Sequence, residues 1–324
     1  MSKNFLRLLL LLAVLVAGLY MGLIWYFSDQ ILFPYRAVPD YQSEWIQQSR
    51  TVDDQHFPIP EEFEVKGQEG VAIRGWYFAH PGTAGCLLVA AHGWGGTRSG
   101  ILKWADMFWD CGCDVVVYDH RGHGESGGEH GTGGIMEKAD LMAVTDWAQE
   151  KTGLSDEETG WAGISWGAAT MLQAGVDREV AFIMADSPFQ DWETAIMERA
   201  ERMYGGWVGY IKGSVMSLAG WRAGVDYREA SAIAVAPRIK SSVFLIHSRT
   251  DEATASFQSV NLDSALNPDR HVFFHTDWGA GHVEDIDVNP DLYRYHVYSF
   301  LKSFAPNWGA CSPTISRFSA EIQE

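Results

Sequence analysis

The chain has 324 residues and a mass of 36.1 kDa, enough for one large domain with a well-buried core. A composition that is 47% hydrophobic and 20% charged excludes extensive disorder. The 24 Lys plus Arg stand against 42 Asp plus Glu, a formal charge of -18, which excludes the basic footprint that nucleic acid requires and repels anionic lipid headgroups.

Residues 8–27 form a run of twenty positions without a charge, long enough at helical rise to cross a bilayer core. A cleaved signal peptide has a shorter apolar region ending in small residues, whereas this run ends in LIWYF, an aromatic belt. The segment therefore reads as a signal-anchor over residues 1–28. Lys3 and Arg7 precede the run and Asp29 is the first charge after it, which predicts a cytoplasmic N-terminus and an extracytoplasmic catalytic domain. A linker and N-terminal extension (29–62) follows.

From residue 63 short β-like runs alternate with helical patterns. FEVKG and VAIRGWYFA flank QEG as an antiparallel hairpin, and CLLVAAHG (86–93) is a continuous apolar run suited to a strand buried on both faces. A helix over 101–110, the strand DVVVYDHRG, and a helix over 136–150 with Leu141, Val144, Trp147 and Ala148 on one face come next. The strand TGWAGIS leads into a helix over 166–174 and the strand VAFIMADSP. Residues 189–239, rich in Trp, Met, Tyr and Gly, then interrupt the rhythm as a helical insertion, a possible cap over one end of the sheet. SSVFLIHS, a helix over 255–265, HVFFHTDW and a closing helix over 291–304 complete a domain spanning 63–304, followed by a tail (305–324). Repeated strand-helix-strand order predicts an α/β fold: a mostly parallel central sheet flanked by helices, with the insertion between the sixth and seventh strands. Cys86, Cys111, Cys113 and Cys311 lack zinc spacing, and their pairing is left open.

The chemistry centres on GWAGISWGAATM (160–171). A GxSxG pattern arises easily by chance, but here Ser165 falls where a strand gives way to a helix, the setting in which a sharp turn lifts a serine hydroxyl above the sheet. A serine nucleophile needs a base, and the base an acid, here in the order Ser, Asp, His. Asp251, in SRTDEA after the strand VFLIH, and His282, in GAGH after HVFFHTDW, meet that order in loops beyond later strands. Asp186 is the second choice for the acid. His275 lies inside a strand, Asp277 is too near that strand to orient His282, and Asp285 reads as a solvated charge. The backbone N–H groups of Trp94, in HGWGGTR, and of Trp166 are the expected oxyanion donors, with His92 holding the loop. DHRGHGESGGEHG holds His120, His123 and His130 with Glu125 and Glu129, but its glycines make it a loop without the HExxH arrangement of a metal site.

HGWGG, YDHRGHGESGG, GISWGAA, ADSPF, IHSRTDE and GAGH occur in the order found in the α/β-hydrolase superfamily, which the chain resembles from about residue 60 to 304. The SWGAA and GAGH…NPDLY segments resemble the membrane-anchored esterase, lipase and serine-aminopeptidase-like branch. The resemblance implies the α/β-hydrolase fold, and a structural role for the turn formed by Asp119, Arg121, Gly122, Gly124 and Ser126. Where relatives read HGxxDxxVP, this chain has His247, Ser248, Asp251 and Ala253–Thr254. Together these features lead to a serine hydrolase that cleaves a carboxylic ester, of a lipid or small acyl compound, without cofactor or metal. An amidase or peptidase using the same residues, and a non-catalytic membrane-tethered binding protein, are the alternatives.

Overall fold

The computed structural model describes residues 2–39, 57–82 and 84–311. Parts of the expected linker (40–56) and tail (312–324) lie outside the described residues. Eight strands form one sheet: β1 (Glu61–Lys66), β2 (Ala72–Phe78), β3 (Leu87–Ala91), β4 (Asp114–Tyr118), β5 (Thr159–Ile164), β6 (Phe182–Asp186), β7 (Ser242–Ser248) and β8 (His271–Thr276). Their spatial order is β1-β2-β4-β3-β5-β6-β7-β8. The hairpin expected around QEG is present: β1 pairs antiparallel with β2, and β2 antiparallel with β4, while every pairing from β4 to β8 is parallel.

The apolar run of β3 is explained by its place in the middle of this sheet. All five residues are buried, and alternate ones serve opposite faces. Leu88 and Ala90 join the layer under α2 (Leu102–Trp109) and α10 (Pro290–Phe304). Leu87, Val89 and Ala91 join the layer under α3 (Glu137–Thr152), α4 (Trp166–Ala174) and α8 (Phe257–Ala265).

The segment between β6 and β7 folds as helices, including α5 (Trp192–Tyr204), α6 (Lys212–Ala223) and α7 (Ala232–Val235). Asp191 starts α5 by accepting the Thr194 amide at 2.7 Å, which relieves one of the unpaired N–H groups of the first turn. The remaining short helix, α9 (Asp285–Val288), precedes α10.

The N-terminal helix α1 (Lys3–Leu32) is long and apolar enough to cross a membrane. It runs past residue 28 because its last turns have a partner. Ile24, Phe27, Ile31 and Leu32 are buried in a third core with Trp166, Val208, Ile211, Val215 and Tyr227. Arg222 of α6 adds an ion pair with Asp29 at 2.7 Å, a hydrogen bond to Ser28 at 2.9 Å and a stacked contact over Trp25.

Two disulfides, Cys86–Cys113 and Cys111–Cys311, tie the start of β3 to the start of β4, and the α2–β4 turn to the segment after α10.

Candidate active site

Ser165 occupies the turn between β5 and α4 with φ 50° and ψ -111°, a backbone that L-residues rarely adopt. Its neighbours are glycines for a steric reason. A Cβ at Gly163 would stand 2.5 Å from the Ala168 nitrogen, and one at Gly167 would stand 2.4 Å from the Ala91 carbonyl oxygen. Local bonds fix the turn: Ser165 N–H donates to the Asp186 carbonyl (2.7 Å) and Gly167 N–H to the His92 carbonyl (3.1 Å).

His282 and Asp251 arrive from the loops after β8 and β7. His282 Nε2 lies 2.8 Å from Ser165 Oγ, and its Nδ1 lies 2.6 Å from Asp251 Oδ2. An ionised carboxylate only accepts, so Nδ1 carries the imidazole proton and Nε2 is left to accept from the serine. The neighbouring Val283 is held at φ 56°, unusual for a β-branched residue.

Asp251 receives four donors. Ala253 and Thr254 amides reach Oδ1 at 2.8 and 2.9 Å, while His282 and His247 share Oδ2. Burial alone would raise its carboxyl pKa, but hydrogen bonds from His247 and His282, with the charge of His282, hold it well below the usual carboxylate range. His247 faces two acceptors through Nε2, Asp251 (3.0 Å) and the Thr254 carbonyl (2.8 Å), while its Nδ1 meets Ser259 Oγ at 2.7 Å. It therefore donates from Nε2 and accepts at Nδ1. In the sequence His247 stands only within the IHSRTDE motif, and its place four residues before Asp251 at the strand's end is the signal that marks it. Glu198 of α5 was also missed: it accepts the Ala255 amide (3.0 Å) and the Gln258 side chain (2.7 Å), pinning the acid's loop to the insertion.

The other acids are engaged elsewhere. Asp186 accepts from Tyr293 (2.7 Å), Trp104 (3.0 Å) and Ser187 (2.9 Å), and burial raises its pKa. Asp285 corrects the expectation of a solvated charge. It is buried, accepts from Thr276 Oγ1 at 2.6 Å, and is pushed up to about 6, chiefly by burial and then by the nearby Asp186 charge.

The HGWGG loop passes close to the serine, with a Cβ at Gly93 only 3.3 Å from Ser165 Cβ. Buried His92 secures it by donating to the Gly93 carbonyl (2.7 Å) and accepting the His120 amide (3.1 Å), and burial pushes its pKa down to about 4. Trp166 opens α4, so its N–H has no intrahelical acceptor, and its indole packs against Trp94 and Trp192. The DHRGHGES turn is a scaffold: Asp119 accepts the Arg98 side chain and amide, both at 2.7 Å, and Arg121 pairs with Asp140 at 2.6 Å. Among the described residues no group of three or more His, Cys, Asp or Glu could hold a metal ion.

Ser165, His282, Trp94 and Trp166 open on a cavity of about 790 Å³. Its walls are mostly apolar and come from α5, α6 and the end of α1, including Ile196, Met203, Val215, Phe27 and Ile31. The contribution of α1 was not foreseen, because a membrane-span pattern carries no sign of what its last turns touch.

A mostly parallel sheet in this order, with a serine on the strained turn after β5, defines a class: the protein is a serine hydrolase of the α/β-hydrolase fold. The fold is similar to that of an esterase of Pyrococcus furiosus, with a TM-score of 0.66 and 22% identity, covering 84% of this chain and 99% of that one. It is also similar to the acylaminoacyl peptidase of Pyrococcus horikoshii, with a TM-score of 0.61 and 17% identity, over 86% of this chain and 45% of that one. The X-Pro dipeptidyl-peptidase (S15) family matches residues 34–217, and the chain belongs to it. Uncharacterized protein YqkD of Bacillus subtilis is 30% identical over 251 residues, 74% of this chain and 78% of that protein.

Proposed function

We propose that the protein hydrolyses a carboxylic ester through an acyl-enzyme, with Ser165 as nucleophile, His282 as general base and acid, and Asp251 as the group that fixes the imidazole. Ser165 Oγ bonds to the carbonyl carbon as its proton passes to His282 Nε2. The bond to the alcohol oxygen then breaks as His282 returns that proton to the departing oxygen. Water repeats the sequence, releasing the acid and restoring the serine. Trp94 and Trp166 amides are the proposed donors to the tetrahedral oxyanion.

The observation that carries this reading is the Ser165–His282–Asp251 chain of bonds at 2.8 and 2.6 Å, opening into an apolar cavity. The family description favours a second reading, release of dipeptides. Against it, the described residues lining the cavity include no Asp or Glu to pair with a peptide's N-terminal ammonium. Ser165→Ala lowers ester turnover by on the order of 10⁶-fold and abolishes fluorophosphonate labelling. Paired ester and amide analogues of one acyl group separate the two readings; an intact rate in Ser165→Ala would sink both.

We further propose that α1 is a retained single-pass anchor and that the catalytic domain is extracytoplasmic. The two disulfides support an oxidising compartment. Burial of Ile24, Phe27, Ile31 and Leu32 contributes on the order of 6–12 kcal/mol as an upper bound, so removing the helix would strip the domain of part of its core.

A further inference from the structure

Two contacts set how α1 and the insertion lie together. Tyr20 meets Ser214 at 2.7 Å and Asp29 meets Arg222 at 2.7 Å, so α6 runs alongside α1 in the same direction over these turns. The Gly206–Tyr210 turn, just before α6, therefore runs from the level of Phe27, where Trp207 meets its ring at 5.9 Å, toward that of Tyr20, where Ser214 stands. Tyr210 is 92% exposed, and Trp207, Met203, Trp25 and Tyr26 are also exposed. They form an amphipathic aromatic fringe where the span enters the domain, the composition found at a membrane interface.

The helix length agrees with that placement. Nearly all of α1 before Leu23 is exposed, and from Leu8, the first residue after Arg7, to Leu23 it measures about 24 Å at 1.5 Å per residue, most of the roughly 30 Å of a hydrocarbon core. The outer edge of the bilayer then falls between Leu23 and Phe27. Phe27 and Ile31 line the same cavity as Ser165, so the helix that enters the membrane is also a wall of the site.

We propose that the substrate is a long-chain acyl ester resident in the membrane leaflet that the domain faces, and that it reaches Ser165 along the last turns of α1, its acyl chain lying against Phe27 and Ile31. This rests on the ester-hydrolase and anchor readings above. The bilayer is the partner of the exposed aromatic fringe, argued from its covalent and spatial continuity with the span. The chemistry is hydrolysis as already balanced: water and ester give the long-chain acid and the alcohol.

The test uses the full chain reconstituted in phosphatidylcholine vesicles. Turnover is measured on p-nitrophenyl butanoate, p-nitrophenyl tetradecanoate and vesicle-borne monotetradecanoylglycerol. The wild type is expected to favour the tetradecanoate by at least about tenfold in kcat/KM, as burial of the added methylenes requires. Ile31→Trp, which fills the α1 wall, is expected to lower the tetradecanoate-to-butanoate ratio by a further factor of about ten. Leu12→Trp, in the exposed part of the helix, leaves the ratio within about twofold. Phe27→Ala, which opens the same wall, raises KM for the tetradecanoate about fivefold and keeps the test available if the tryptophan variant does not fold. Tyr210→Glu lowers monotetradecanoylglycerol hydrolysis about fivefold relative to butanoate hydrolysis.

A Ser165-dependent butanoate activity with no tetradecanoate preference, or a ratio unmoved by folded Ile31→Trp and Phe27→Ala, overturns the route along α1 while leaving ester hydrolysis intact. Vesicle hydrolysis unchanged in Tyr210→Glu overturns the interfacial placement. Folded wild-type protein that cleaves none of the esters removes the ester-hydrolase reading itself.

Discussion

Asp251→Asn is the most demanding test of the proposed mechanism, because the hydrogen bonds dictate how the amide must sit. Oδ1 accepts the Ala253 and Thr254 amides at 2.8 and 2.9 Å, so the asparagine oxygen has to take that position. Its NH₂ group then occupies the Oδ2 position, facing His282 Nδ1 and His247 Nε2, both of which donate in the wild type. His282 can meet an NH₂ only by accepting at Nδ1, which moves its proton to Nε2. The nitrogen 2.8 Å from Ser165 Oγ is then no longer a base. A tautomer error of this kind lowers kcat by about 10⁴-fold, or about 5.5 kcal/mol of barrier, with KM little changed. The assay is p-nitrophenyl butanoate turnover at neutral pH, beside the rate of fluorophosphonate labelling and a thermal melt to establish folding. A folded variant that keeps more than about a tenth of wild-type kcat refutes the idea that Asp251 sets the imidazole proton.

His247→Phe removes one donor to Asp251, so the acid's pKa rises. The acid limb of the pH–rate profile moves to higher pH and kcat falls about tenfold, whereas a purely structural role would leave the limb in place. His123 is buried and burial pushes its pKa down to about 3, from an ordinary value of 6.5. Unfolding between pH 6 and pH 4 therefore takes up a proton there, and stability falls as pH falls. In His123→Phe, urea titrations across that window give a stability–pH slope shallower by about 1.4 kcal/mol per pH unit; an unchanged slope refutes the assignment. The cystines close separations of 27 and 200 residues, so losing either one costs about 3–5 kcal/mol, read as a fall in the denaturation midpoint. Protein isolated without reductant that titrates with four free thiols contradicts the extracytoplasmic placement.

Much of this arrangement was legible in the sequence because local rules govern it. The residues around Ser165 announce a strand-to-helix turn, and the glycines on either side are demanded by backbone atoms within 2.5 Å of where a Cβ would be. Asp251 and His282 were legible because parallel strands deliver the loops after β5, β7 and β8 to one edge of the sheet. Asp285 was misread because Glu284 and Asp287 on either side suggest a solvated acidic run, whereas its setting is fixed by the bond from Thr276 and the nearby Asp186. The same holds for Glu198 and the wall contributed by α1. Their roles depend on partners distant in the chain, which no periodicity encodes.

The placement of the two cystines gives the molecule a direction. One joins the starts of strands β3 and β4 and the other ties the adjoining α2–β4 turn to the segment after α10, while Ser165, Asp251 and His282 occupy the opposite edge, where α1 enters. In the proposed arrangement, with the active-site edge against the lipid, the cystine edge stands farthest into the aqueous space. The described chain leaves at Cys311 on that far edge. In that arrangement a reporter or affinity handle fused there would project away from the membrane without touching the route by which substrate arrives.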